Sequence, residues 1–137
     1  TLNSGTVDGL RVRPNGSTAN FNWRRLAGDG STRFSDADPS TEMGLINGNG
    51  ATSNTFGNAS VYIPNYRGSS NKSFSGDSVT ENNATTAYQA LYAGIWSQTT
   101  AISSLTISAA STNNLMQFSS ATLYGITAGS SGGVTVS

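Results

Sequence analysis

Short runs in which every second residue is apolar recur along the chain, separated by turn-forming residues. Leu10 and Val12 alternate with Arg11 and Arg13 until Pro14-Asn15-Gly16 stops the run, and Phe21 and Trp23 alternate with Asn20, Asn22 and Arg24 ahead of Gly28-Asp29-Gly30. Val61 and Ile63 flank Tyr62 before Pro64-Asn65. Phe74 is central to a polar run over 71–79, with a turn or bulge expected at Gly76-Asp77. Leu105 and Ile107 alternate with Thr106 and Ser108, Phe118 precedes Thr122-Leu123-Tyr124-Gly125-Ile126, and Val134 and Val136 alternate at the tail. Residues two apart share one face of a strand, so each run predicts a strand with a single buried side. About eight short strands with turn chemistry between them predict an all-β fold, an antiparallel two-sheet sandwich that is jelly-roll-like. Its expected core holds Leu10, Val12, Phe21, Trp23, Ile63, Trp96, Leu105, Ile107, Leu123 and Ile126.

Residues 84–96 fit two templates. Ala87, Leu91 and Ile95 recur four apart, as do Tyr88, Tyr92 and Trp96, whereas the Gly and aromatic content suits a strand. Strand is favoured because its neighbours are strands. Residues 35–60 predict a long polar loop, with Asp-Pro, Asn-Gly-Asn-Gly and little alternation; only Met43-Gly44-Leu45-Ile46 is able to pack. No period of 20–50 residues points to a solenoid or propeller.

Length fits one domain, 1–137. Ser, Thr, Asn and Gly make up about half the chain, while charged residues supply only 10% against about 25% in an ordinary soluble domain. The strands' solvent faces are therefore neutral hydroxyls and amides. Seven Lys and Arg balance seven Asp and Glu. This leaves no basic patch for nucleic acid, and no apolar run reaches the roughly 18 residues of a membrane span. Thr1 at the start, with Met only at positions 43 and 116, suggests a processed chain or a fragment.

Catalytic chemistry is sparse. There is no Cys and no His, so thiolate metal sites and the commonest general base are missing. Asp36, Asp38 and Glu42 form the one acidic cluster, which reads as a turn before Pro39; it misses the Gly and the bidentate Glu of a calcium loop. A Ser–Lys dyad would need Lys72, the only Lys, which reads as an exposed strand or turn. No catalytic, cofactor-binding or metal-binding residue is assigned. The four Asn-x-Ser/Thr triplets, at Asn15, Asn58, Asn71 and Asn83, are what chance alone gives for this composition. Tyr62, Tyr66 and Arg67 are the candidates for contact with glycan or a partner, since Tyr66 lies just past Pro64 and beside Arg67-Gly68.

Two stretches carry a resemblance. Leu10-Arg11-Val12-Arg13-Pro14-Asn15-Gly16, with Asn20-Phe21-Asn22-Trp23-Arg24-Arg25-Leu26 and Gly28-Asp29-Gly30-Ser31, is the first. The second is Phe118-Ser119-Ser120-Ala121-Thr122-Leu123-Tyr124-Gly125-Ile126, and Trp96 with Ile102-Ser103-Ser104-Leu105-Thr106-Ile107 fits between them. Together these resemble a tailed-bacteriophage virion surface protein family whose jelly-roll-like domain ends in a Leu-Tyr-Gly-Ile strand. The resemblance implies a non-enzymatic structural protein on the virion surface, decorating or reinforcing the capsid or a tail appendage. The alternative is a receptor-binding tip that recognises host cell-surface glycan. The implied partners are other virion proteins and further copies of the chain, as a homotrimer or larger symmetric assembly. Family members begin with an apolar strand ahead of the first motif. Residues 1–8 hold nothing as hydrophobic, so that strand is expected to be missing or supplied by a neighbouring subunit.

Overall fold

The computed structural model describes residues 5–83, 87–111, 114–128 and 134–136. The first four strands are β1 (Val7–Pro14), β2 (Phe21–Gly28), β3 (Arg33–Asp38) and β4 (Glu42–Asn47). The next four are β5 (Asn58–Tyr62), β6 (Lys72–Val79), β7 (Gln89–Trp96) and β8 (Leu105–Ala109). They form two antiparallel sheets, of order β4-β1-β8 and β3-β2-β7-β6-β5, facing each other as a sandwich in which β4 lies across β5, β6 and β7. Two further short strands, β9 (Ile126–Ala128) and β10 (Val134–Val136), pair only with each other. No helix occurs among the described residues, so none crosses a membrane. The pairing of β1 with β8 is nested around that of β2 with β7.

Alternation places the core. Phe21, Trp23, Phe74, Ala90, Tyr92 and Trp96 point inward from the larger sheet and meet Val7, Val12, Met43 and Leu45 from the smaller one. Phe21 stacks on Trp96 with ring centroids 6.0 Å apart, and Trp23 meets Tyr92 edge-on at 5.2 Å. Offset and edge-on pairs of this kind add about 0.5–1.5 kcal/mol beyond the area they bury. Leu10, Ile63 and Leu105 lie half-buried at the margin.

The segment open to two templates is the favoured strand, over Gln89–Trp96, while 84–86 lie outside the described residues. Other expectations are corrected. Half of 35–60 is strand, in β3, β4 and the start of β5, with a short turn at 39–41 and the longer loop confined to 48–57. β3 escapes the alternation test because it is an edge strand with only Phe34 half-buried. β6 runs straight through Gly76-Asp77, in register with both neighbours. Its Gly is there for space, since a Cβ at Gly76 would lie 2.5 Å from the Met43 carbonyl oxygen of the facing sheet.

The closing motif is also corrected. Residues 114–125 belong to no strand, and Leu123 and Tyr124 are 78% and 70% exposed; Ile126, at the start of β9, is exposed as well. Alternation in sequence marks a chain able to form a strand but does not supply the neighbour that would bury it. Ile107 is 39% exposed although its cross-strand partner Val12 is buried, because β8 ends the sheet. β1 is itself the central strand of its sheet, so the first apolar run needs no strand before it to be flanked on both sides.

Turns latch the sheets together. Asn15 and Gly16 both have positive φ, the geometry of a two-residue turn that Asn-Gly favours. The Asn15 side-chain oxygen accepts from the backbone N–H groups of Ser103 (2.9 Å) and Ser104 (3.3 Å), and its Nδ2 donates to the Ala101 carbonyl at 2.9 Å. In the 48–57 loop, Gly48 N donates to Thr6 O at 2.8 Å and Gly50 N to Gly5 O at 2.6 Å.

Candidate functional site

Of the acidic residues expected to form a turn, Asp36 and Asp38 lie on β3 and Glu42 opens β4, and Asp36 braces a buried arginine. β2 turns Arg25 inward, and register places it opposite Asp36 on β3 and Tyr92 on β7. Its Nε donates to Asp36 Oδ1 at 2.9 Å, its Nη2 to Asp36 Oδ2, and its Nη1 to the Tyr92 hydroxyl at 2.9 Å. The rings of Trp23, Phe34 and Tyr92 lie 5.2–5.6 Å from the guanidinium carbon. A planar cation with five fixed donors suits such a cage, where aromatic faces and a forked carboxylate replace water. Burial alone would lower the Arg25 pKa, but the hydrogen bond to Asp36 and the interaction with Tyr92 outweigh it and hold the value up. Burial pushes the Tyr92 phenol up to about 12, against the pull of Arg25. Glu42, at the start of β4, is raised above its ordinary value by burial, with Arg25 and Arg11 opposing the shift and Asp38 and Asp8 adding to it. All three guanidinium nitrogens are engaged, so the cluster ties three strands together.

Lys72 was expected on the surface and is 1% exposed. It points inward from the start of β6, opposite Trp96. Its Nζ donates to the carbonyl oxygens of Gly68 (2.8 Å) and Ser70, with those of Gln98 and Thr99 each at 3.5 Å. A buried cation must be compensated, and here backbone dipoles from two loops do it. Among the described residues, no three acidic side chains gather as a metal site would require.

The three residues predicted as contacts are all exposed, and all lie at one corner. Tyr62 ends β5 on the outer face of the larger sheet, and Tyr66 and Arg67 follow in the turn after Pro64. The Tyr66 carbonyl accepts from Ile102 N at 2.8 Å, which fixes the turn against the segment leading into β8. No side-chain hydrogen bond joins the three among the described residues. Elsewhere on that outer face, Leu26 and Leu91 pair across β2 and β7 and are both exposed. With Arg24, Ser35, Ala37 and Ala93 they line an open depression of about 470 Å³.

A run of exposed apolar residues lies outside the eight strands of the sandwich. Leu115, Met116, Phe118, Leu123, Tyr124 and Ile126 are all exposed, with Phe118 at 80%. Single exposed hydrophobics need no explanation, but six within twelve residues make this segment a candidate for contact with a partner. The arm starts from a fixed root. Ala110 N donates to Gly9 O at 2.9 Å, and the Asp8 carboxylate accepts from Ser111 N at 3.2 Å and from the Ser111 hydroxyl. The arm shares its lack of charge with β7 and β8, since after Glu81 the chain carries no charged residue. No family model, curated protein or solved structure matches the chain.

Proposed function

We propose that the chain is a structural building block of a bacteriophage virion, placed on the particle surface and held there by contacts with further copies and other virion proteins. The observation that carries this is the arm over 114–126. A folded, well-packed sandwich here extends a segment that holds six large apolar side chains in water and carries no charge. Such a surface is stable only when covered, which suits a subunit that spends its life in an assembly. The resemblance of 10–31 and 118–126 to virion surface proteins supports the choice of particle. An antibody against the chain should label phage particles at regular, repeated positions in electron micrographs. Label confined to free monomers in the filtrate would sink the proposal.

A second function is favoured by the corner at Tyr62, Tyr66 and Arg67. Two exposed phenol rings beside a guanidinium suit stacking on sugar and hydrogen bonding to its hydroxyls. Binding of the assembled chain to a bacterial glycan array, lost in Tyr66→Ala, would support a receptor-binding role. An array without signal above background removes it.

A further inference from the structure

We infer that the outer face of the larger sheet is a contact between two copies of the chain, packed face to face about a two-fold axis along β7. This rests on the assembly role above and names the surface that mates.

The face is unlike one kept for water. The outward positions of β2, β7 and β6, its three central strands, hold only two charges, Arg24 and Asp77. Between them stand Leu26 and Leu91, cross-strand partners that are 63% and 60% exposed, with Ala93 and Ile95 exposed further along β7. Five strands, each about six residues long, make the face roughly 24 Å by 20 Å. Two such faces bury about 1,000 Å² in all, the level at which an interface becomes specific.

Charge placement selects both the occupant and the axis. Register sets Arg24 level with Ala93 and Ser75, and Asp77 level with Leu91 and Leu26. The two charges therefore flank β7 on opposite sides, about 7 Å apart along the strands. A half-turn about β7 lays β2 of one copy over β6 of the other. Arg24 then covers Ser75 of the second copy within reach of its Asp77, and symmetry makes the pair twice. Residues on the axis meet their own counterparts, and there β7 places Leu91, Ala93 and Ile95, with no charge to repel. A half-turn across the strands instead sets β2 over β2 and β6 over β6, bringing like charges together.

Both ions have capacity left for the pair. Arg24 Nη1 donates to Asn22 Oδ1 and to the Trp23 carbonyl at 3.0 Å, while Nε and Nη2 donate to nothing among the described residues. Asp77 Oδ1 accepts from the Ser60 hydroxyl, and Oδ2 accepts from no side chain among them. Twist splays the corners of packed sheets apart, which leaves Tyr62, Tyr66 and Arg67 at the rim.

Charge reversal in the full-length chain tests this arrangement. Arg24→Asp sets Asp against Asp77 of the second copy, and Asp77→Arg sets Arg against Arg24. Each variant alone should sediment closer to 14.1 kDa than the parent does. Mixed in equal amounts, the two restore both opposite-charge pairs, and the parent's mass should return. The chain has no native Cys, so Ala93→Cys, on the axis, should be joined to its counterpart by a bismaleimide spanning the roughly 10 Å between packed sheets. Should either reversal fail to fold, this cross-link decides alone. A mixture of folded variants that stays small overturns the inference. Cross-linking through Thr106→Cys on the smaller sheet, with none through Ala93→Cys, overturns it too. If the parent is monomeric at micromolar concentration, both the assembly role and this contact fall. If it assembles and neither reversal changes its mass, only this contact falls.

Discussion

The Met43 carbonyl oxygen occupies the space in which residue 76 would carry a side chain, so the two sheets touch backbone to backbone where β4 crosses β6. Nearby, Leu45 N donates to Ser78 Oγ on the same strand as Gly76. Close approach at this crossing sets the spacing of the sandwich.

Gly76→Ala should therefore force the sheets apart and cost roughly 1–3 kcal/mol, the range for overpacking a dense interior. Urea unfolding monitored by Trp fluorescence gives the value. An unchanged midpoint would mean that β4 shifts aside without penalty.

Replacing Lys72 by Met keeps most of the volume and removes the donor to Gly68 O and Ser70 O. Stability should fall by about 1–3 kcal/mol, as for buried acceptors left without a partner. Faster amide hydrogen exchange should appear around 68–70 and 98–99, the two loops that Nζ holds together. Exchange altered uniformly, with no focus on these loops, would count against the clamp.

Glu42 makes stability depend on pH. Its folded pKa lies above the ordinary 4.5, so its contribution is complete below that value and is lost as pH rises through the raised one. Glu42→Gln cannot ionise. Its stability relative to the parent should improve between pH 4 and pH 7, measured as urea midpoints at each pH. A difference that stays constant over this range would show that the carboxyl is not held up.

Tyr92→Phe removes the hydroxyl that accepts from Arg25 Nη1 and should cost about 1–2 kcal/mol. It should also abolish the phenol ionisation near pH 12 in an ultraviolet titration. Because burial raises this pKa, the Tyr92 contribution is complete below pH 10 and is lost as pH climbs through about 12. A lost ionisation centred at the ordinary 10 instead would show that the phenol is not buried in solution.

Much of the fold is legible in alternation. The inward set Phe21, Trp23, Phe74, Trp96 and Val12 follows from period-two spacing bounded by Asn-Gly and Pro turns, because each of these strands has a neighbour on both sides. Alternation fails where burial comes from elsewhere in the chain. Lys72 reads as a surface residue because a Lys in a polar run does not reveal that the carbonyls of 68, 70, 98 and 99 will enclose it. Leu123 and Ile126 read as core for the opposite reason: they have the spacing, but 122–125 belong to no strand of the sandwich and both side chains stay exposed. The loss of all charge after Glu81 is plain in the sequence, but it spans β7 and β8 as well as the arm and so does not mark where the sandwich ends.

Three Asn-Gly pairs, at 15–16, 47–48 and 49–50, are of the type that ages fastest in proteins, because an unhindered glycine nitrogen attacks the preceding amide to form a succinimide. Here each of those nitrogens donates its proton to a carbonyl, Gly16 to Arg13 O at 3.4 Å, Gly48 to Thr6 O and Gly50 to Gly5 O. The Asn15 amide is further immobilised by its contacts to 101–104. Attack needs the hydrogen bond broken and the backbone rotated, so deamidation is gated by local opening and not by intrinsic peptide chemistry. The same bonds that shape the turns thus act as a chemical clock set to run slowly, and isoaspartate should accumulate at these pairs no faster than their glycine amides exchange.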